Sequence, residues 1–318
     1  MADGKWIPDL HPTTPLVDAA RHVLTVRLDT VRHYLPLAVQ KADEDTEHVH
    51  QLRVGTRRAA AALRIFGDCL PDKARKAARK QLRAVRRAAG EARDWDVFLL
   101  ELDAWGPKHT DRQRPGIDFL TGYGIAQRAA AQKHLEDAIG EGPFAYDRFL
   151  TETVAAVHRP DAPHLHTLLD LARPRLAQLL QKLDEAAARD LNDYGNLHRV
   201  RIAGKRLRYA MEVFADCFAP PFKEEMYPAV EEMQEILGRA NDSHVAVQRL
   251  SALAGKLKAA HPAEWKRYRA GVEGLLRYHR QRLPRERRRF QAWWRRWQAS
   301  GAEGALAQLL RSPEAATA

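Results

Sequence analysis

Several common signatures are missing from this 318-residue sequence. It has only two cysteines, Cys69 and Cys217, so a disulfide framework is not indicated and a cytoplasmic location is expected. No apolar run approaches the roughly 18 residues that suggest a membrane span. The opening residues lack a basic stretch followed by an apolar one, so no signal peptide is predicted. Alternating Val, Ile and Tyr are scarce and Asn-Gly is absent, which argues against β-structure.

Positive charge, by contrast, is abundant. The chain has 52 Lys and Arg against 41 Asp and Glu, a net charge of +11, and 39 of the cations are arginine. This sign favours an anionic partner such as nucleic acid, a membrane surface or a phosphate polymer. The planar fork of arginine suits phosphate, although a GC-rich genome would also enrich arginine.

Long Ala/Leu/Arg-rich stretches separated by Gly and Pro predict an all-α protein. Helices are expected over about 15–40, 48–70, 72–105, 115–140, 144–158, 164–190, 195–218, 221–259 and 262–299. The segment RPDAPH (159–164) is the best internal boundary. We therefore expect an N-terminal extension (1–14), two halves (15–160 and 161–300) and a partly disordered C-terminal tail (301–318).

An internal repeat supports two halves. At a fixed offset of 148 positions, residues 50–102 align without a gap on 198–250, and twelve of the aligned pairs are identical. The pairs include the two cysteines, for which buried free thiols are expected. The repeat predicts two four-helix bundles related by a pseudo-two-fold axis.

Each repeat carries a histidine followed by regularly spaced cations, HQLRVGTRR (50–58) and HRVRIAGKR (198–206). At 100° per residue, the histidine and most of these cations share an arc of about 60°, opposite an apolar face. The two stripes are His50, Arg53, Arg57 and Arg64, and His198, Arg201, Lys205 and Arg208. Cations on a helix face are usually solvated, but no acid occurs within 50–64 or 198–208 to alternate with them. We interpret the stripes as a surface for a polyanion.

The predicted third helix extends this basic surface. Its cations fall within about 120° of arc, opposite an apolar stripe, and are Lys76, Arg79, Lys80, Arg83, Arg86 and Arg87. The equivalent helix of the second half is acidic instead, so the halves differ in charge. The last helix has twelve cations against three acids over 264–297, with Trp293, Trp294 and Trp297 interleaved. Anchoring in the core is favoured over base stacking for these tryptophans.

These motifs, together with GEARDWDV (90–97) and GRANDSHV (238–245), resemble those of the CHAD domain, the conserved histidine α-helical domain. The resemblance covers about residues 15–300. It implies two four-helix bundles around a basic groove or pore that binds inorganic polyphosphate, and residence at polyphosphate granules. Position by position, it implies the binding residues His50, Arg53, Arg57, Arg58, His198, Arg201, Lys205 and Arg206. Lys205 and the segment NDSH depart from the usual Arg and Arg-Asp-x-Asp, which puts the symmetry of the site in question.

The leading interpretation is therefore a polyphosphate-binding protein with no catalytic residue, metal site or cofactor. The binding residues expected are the two stripes, the cations of the third helix, Arg58 and Arg206. A nucleic-acid-binding protein is the alternative, although no base-reading motif is present. A hydrolase would need clustered acids to hold Mg²⁺, and none stands out.

Individual residues leave further alternatives open. The histidines are read as phosphate donors, as structural residues or, least well, as metal ligands. Asp94 and Asp242 are expected to brace the motif arginines or join the bundles. Gly90 and Gly238 are expected to mark close helix packing or a kink.

Overall fold

The computed structural model describes residues 4–105, 110–139 and 143–301, together with 304, 306 and 308. These residues form α-helices and no β-strand, and one isolated bridge joins Pro15 to Thr167. The predicted all-α class is confirmed. The helices are α1 (Leu16–Gln40), α2 (Glu47–Ile65), α3 (Asp72–Trp105), α4 (Arg114–Ile139), α5 (Pro143–Ala155), α6 (Leu168–Ala187), α7 (Tyr194–Phe214), α8 (Tyr227–Ala260) and α9 (Pro262–Ala299). Among the described helices, none is long and apolar enough to cross a bilayer.

The two motif helices end in the same way. Both α2 and α7 stop earlier than predicted, because the next three residues tighten into 3₁₀ turns at Gly67–Cys69 and Ala215–Cys217. The turns lie 148 positions apart, which is the offset of the sequence repeat. Each contains a cysteine that is a buried free thiol, as expected. Burial raises the pKa of Cys69 to about 11 and that of Cys217 to about 12.

Within α1–α4 and within α6–α9, helices that follow each other in sequence pack together, and α5 packs against α1 and α3. Contacts between the two groups tie the chain into one body. α2 packs against α7, and α4 packs against α9. The apolar faces predicted for α2 and α7 are buried, including Leu52, Phe66, Met211 and Phe214. A large apolar core contains residues from α1, α2, α3, α6, α7, α8 and α9, and a smaller one joins α3 and α4 to α8 and α9. Each core therefore contains residues from both sides of the segment 159–164.

The contact between α4 and α9 is unusually close. A Cβ atom built on Gly116 would lie 2.8 Å from the Cα of Gly271, and one built on Gly271 would lie 2.5 Å from the backbone oxygen of Gln113. Real Cβ atoms do not approach other atoms so closely, so only glycine allows the two backbones to meet here. This contact fixes α9 along the side of the molecule.

The segment before α1 is docked onto the helices. The Lys5 ammonium lies 2.9 Å from Glu231, and the Trp6 ring meets Tyr227 edge-on at 4.7 Å. Arg27 donates hydrogen bonds to the backbone oxygens of Gly4 and Lys5. Residues 4–14 thus contact both α1 and α8. Of the predicted C-terminal tail (301–318), only residues 301, 304, 306 and 308 are described.

Candidate functional site

The predicted cation stripes of α2 and α7 face each other where these helices pack. Six cations come together there, and we call them the basic cluster: Arg53, Arg57, Arg64 and Arg86 from the first half, and Arg201 and Lys205 from the second. The Tyr209 side chain, which is only 4% exposed, lies among them. Its electrostatic influence reaches Arg57, Arg64, Arg86 and Arg201. Two stripes about 148 residues apart in sequence therefore form one continuous positive region.

Burial and mutual repulsion make this region unfavourable for charge. Burial lowers the pKa of Arg57 to about 10, and Arg53 and Arg201 add to the effect. Burial likewise lowers the pKa of Arg64 to about 10, with Arg206, Arg79 and Arg86 contributing. Such shifts mean that the folded protein places these guanidinium groups where a positive charge is poorly compensated.

Lys205 shows the largest effect. Burial, followed by the charges of Arg201, Arg57, Arg53 and Arg208, lowers the pKa of its ammonium to about 5. This lysine is the residue that departs from the arginine usual in the resembling family. Lysine loses its proton far more readily than arginine when it is desolvated. Without an anion, Lys205 is therefore neutral at pH 7.

Counter-charges are missing around most of the basic cluster. Within the described residues, no carboxylate oxygen lies within 4.0 Å of Arg57, Arg64 or Lys205. The Nε atoms of Arg57 and Arg201 are buried, and in the described part of the chain neither finds a hydrogen-bond acceptor. Buried donors normally have partners. The unpaired donors therefore point to an anion as the missing partner.

One acid does brace a motif arginine, as predicted. Asp94 lies 3.4 Å from Arg53, and its backbone oxygen accepts a hydrogen bond from Arg249 at 3.2 Å. Asp242 influences Arg201 electrostatically. The predicted close packing at the motif glycines is wrong. A Cβ atom on Gly238 would meet none of the described atoms within 4 Å, which leaves the helix surface open there.

A cavity of about 280 Å³ opens beside these residues. Arg53, His198 and Arg201 line it together with the carboxylates of Asp94, Asp242 and Glu101. The cavity lies between α3, α7 and α8 and gives the basic cluster an opening of mixed charge. In the described part of the chain, no three His, Cys, Asp or Glu side chains are arranged to hold a metal ion.

Both motif histidines border the basic cluster, where burial and the neighbouring cations lower their pKa values and disfavour their charged forms. Burial lowers the pKa of His50, and the charge of Arg93 is the next largest cause. Burial also lowers the pKa of His198, followed by Arg201 and Lys205, against a hydrogen bond with Asn241. The Nδ1 atom of His198 is buried and has no partner among the described groups. An anion beside either ring would raise its pKa again.

Arg58 and Arg208 do not belong to the unpaired region, contrary to their assignment as binding residues. Arg58 is 9% exposed, and its Nε donates to the Glu212 carboxylate at 2.7 Å. Glu212 also lies 3.6 Å from Arg27 and accepts from the Tyr227 hydroxyl at 2.9 Å. Arg208 donates to Glu231 at 3.1 Å. These charges are already neutralised inside the protein, so we leave both arginines out of the contact set.

The cations of α3 divide into two groups. Arg86 is partly buried and belongs to the basic cluster, and Arg79 acts on Arg64 while Arg83 acts on Arg86. All of the predicted α3 cations except Arg86 are exposed, and Lys76 pairs at 3.5 Å with Asp72. The α3 row, consisting of Lys76, Arg79, Lys80, Arg83, Arg86 and Arg87, forms a basic approach to the cluster. Arg206 is exposed and lies near Arg64.

Sequence reasoning did not identify Tyr209 or Glu212. Glu212 lies four residues after Arg208, so it continues the cation stripe of α7 by one turn. That position was the available signal. Tyr209 had no distinguishing pattern, since a single tyrosine beside an apolar face looks like any core residue. The tryptophans are anchored in the core as favoured, because Trp293 and Trp297 are buried and stack at 5.3 Å.

These features define a helical protein with two histidine-cation helices that meet at a common basic region. The CHAD domain family model matches residues 22–251, and the chain belongs to this family. The fold is similar to the crystal structure of the CHAD domain from the plant Ricinus communis, with a TM-score of 0.69, 23% identity and coverage of 91% of this chain and 94% of that one. It is also similar to PptA from Streptomyces chartreusis, with a TM-score of 0.70, 20% identity and coverage of 89% and 100%. No curated protein sequence matches the chain significantly.

Proposed function

We propose that this protein binds inorganic polyphosphate at the basic cluster without chemically changing it. The observation that carries the proposal is the packing of two cation stripes against each other, with no carboxylate oxygen of the described residues within 4.0 Å of Arg57, Arg64 or Lys205. Like charges held close together destabilise a protein unless an anion offsets them. The proposed contact set is the basic cluster with His50, His198, Arg206 and the α3 row.

Polyphosphate fits this arrangement because of its chemistry. It is a flexible chain with about one negative charge per phosphate, and its oxygens accept the paired hydrogen bonds that arginine donates. The cations run from the largely exposed α3 row to the partly buried Lys205, so successive phosphates are contacted along the chain. Asp94 holds Arg53 by an ion pair of 3.4 Å, which leaves part of its fork for phosphate.

The finer organisation follows as part of the same proposal. Residues 15–160 and 161–300 form two four-helix bundles, α1–α4 with α5 packed against them and α6–α9, related by a pseudo-two-fold axis that places the stripes of α2 and α7 opposite each other. The protein resides in the cytoplasm and directs itself to polyphosphate granules or organises them. Membership of the CHAD family supports this proposal. The two-bundle arrangement is also supported by the two 3₁₀ turns, which lie 148 positions apart like the sequence repeats.

A double substitution tests the site. Arg57→Gln with Arg201→Gln removes two unpaired cations, and we expect polyphosphate affinity at 150 mM salt to fall at least about tenfold because two charge-assisted contacts are lost. Arg148→Gln with Lys182→Gln makes the same change in net charge at exposed positions and serves as the control. Isothermal titration gives the affinities, and circular dichroism confirms that helicity is retained. Equal affinity of the wild type and the Arg57/Arg201 variant would overturn the proposal.

The alternatives are separated by two further measurements. If nucleic acid binds at the same cations, it should compete for the site as effectively as polyphosphate of the same charge does. A hydrolase would release phosphate from polyphosphate in the presence of Mg²⁺ or Mn²⁺. Either result would replace the proposed binding function.

A further inference from the structure

A second basic surface lies on α9, outside residues 22–251 that the family model matches. At 100° per residue, seven cations of this helix fall within an arc of about 100°. We call them the α9 basic face: Lys266, Arg269, Arg277, Arg280, Arg287, Arg288 and Arg295. Only one acid, Glu273, shares the arc. At 1.5 Å per residue the face is about 43 Å long.

The cations of the α9 basic face are available to a partner. Six of them are exposed, and Arg287 is partly buried. In the described part of the chain, none of the seven lies within 4.0 Å of a carboxylate. Three other arginines of α9 do find acids, such as Arg282 with Glu101 at 2.6 Å and Arg296 with Glu232 at 3.2 Å. Arg267 and Arg285, which lie beside the arc, do not find one among the described residues. The unpaired charges are therefore concentrated on one side of the helix.

The composition of the α9 basic face excludes two kinds of polyanion. Membrane-binding helices insert large apolar or aromatic side chains, and the other residues of this arc are proline, alanine, glutamine and Glu273. Single-stranded nucleic acids are held by aromatic residues that stack on bases. The tryptophans of α9 offer no such platform on this face, since Trp265, Trp293 and Trp297 are buried. Trp294 is partly buried, lies outside the arc and packs against the apolar core.

The shape of the α9 basic face selects between the remaining partners. The α9 basic face offers a flexible chain such as polyphosphate contacts from one side only, without the partly buried cations of α2 and α7 that continue the α3 row, so the chain would lose conformational freedom for fewer contacts. A duplex is already rigid, and cations that contact its phosphates release its condensed counterions. A groove of about 410 Å³ is lined by Arg277 and Arg280 and by Lys258 of α8, which adds a further positive charge beside the α9 basic face.

We propose that the α9 basic face binds double-stranded nucleic acid through its phosphates, without reading sequence. The test uses fluorescence anisotropy with a random duplex of about 24 base pairs. The α9 variant combines Lys266→Gln, Arg277→Gln, Arg288→Gln and Arg295→Gln. A control variant makes the same charge change at exposed positions elsewhere, with Lys41→Gln, Lys133→Gln, Arg148→Gln and Lys182→Gln.

We expect the α9 variant to bind the duplex about 100-fold more weakly at 100 mM salt. Its slope of log affinity against log salt should be shallower by about 3 to 4, because each lost phosphate contact removes about 0.9. The Arg57/Arg201 variant should keep its duplex affinity, which separates this test from that of the polyphosphate site. Equal losses in the control variant, dependence of duplex binding on Arg57 and Arg201, or α9-dependent capture by phosphatidylserine vesicles in place of the duplex would each overturn the proposal.

Discussion

Lys205 offers the sharpest test of how the basic cluster is held together. We predict that Lys205→Met makes the protein more stable but a weaker binder. Methionine has a similar length and no charge to desolvate. The pKa of Lys205 is about 5 in the folded protein against an ordinary value of 10.5, so folding at pH 7 requires the loss of a proton.

The magnitude follows from these two pKa values. At pH 7 the solution lies 3.5 pH units below the ordinary pKa of 10.5. At 1.36 kcal/mol per unit, removing the proton from Lys205 on folding costs at most about 5 kcal/mol. Because neighbouring side chains relax and water reaches part of the amine, we expect a gain of roughly 1–3 kcal/mol in the free energy of unfolding. Urea titration of both proteins at pH 7 measures it. Lys182→Met, at an exposed position, should leave stability unchanged.

The dependence on pH supplies an independent check. Since the folded pKa is below the unfolded one, unfolding takes up a proton between pH 5 and pH 10.5. The stability contributed at this site therefore rises with pH, and the advantage of the variant should shrink from pH 6 to pH 9. Polyphosphate affinity should fall at least about tenfold with the loss of one charged contact. A variant that is no more stable than the wild type at pH 7, with parallel pH curves, would refute the reasoning.

Three further predictions follow from the same region. Polyphosphate binding at pH 7 should take up about one proton at Lys205 and additional protons at His50 and His198, since an anion raises pKa values that burial and cations have lowered. Affinity should therefore fall as pH rises above neutrality, and titrations in buffers of different ionisation enthalpy count the protons. Pure pH independence would contradict this. Glu212→Gln should destabilise the protein by about 3–5 kcal/mol in urea titration, because the buried Arg27 and Arg58 would lose the carboxylate that they share, and a change below 1 kcal/mol would show that other groups compensate for its loss. Gly238→Ala should raise stability by about 0.5–1 kcal/mol, because the position is inside a helix and has open space around it, and a loss of thermal stability would show an undetected clash.

The sequence predicted the helices and their buried faces well, because apolar spacing is local information. Leu52 and Phe66 were placed on the buried side by periodicity alone, and both are fully buried. The bounds of α3 were also predicted correctly, from Asp72 to Trp105. Errors at the ends of α2 and α7 arose where the chain tightens into a 3₁₀ turn without changing its apolar pattern.

The pairing of charges could not be predicted in the same way. Arg58 was assigned to the binding surface from the motif, but it lies about 80° from the stripe on a helical wheel and points to Glu212, 154 positions away. Which stripe meets which acid depends on how α2 crosses α7, and periodicity carries no information about that. The low pKa of Lys205 has partly the same origin, because its burial and the charges of Arg57 and Arg53 depend on how α2 crosses α7. Only the charges of Arg201 and Arg208, on its own helix, follow from periodicity.

The ion pair between Arg58 and Glu212 also bears on how the chain could be divided. It joins α2 to α7 inside a single apolar core. A backbone cut within 159–164 would therefore leave each fragment with an unpaired charged group and a large apolar surface exposed to water. Such fragments should be insoluble or unfolded when made separately and should recover their structure when expressed together. The two repeats would then behave as complementary pieces of one folding unit, which is a useful property for building a reporter whose reassembly can be followed in cells.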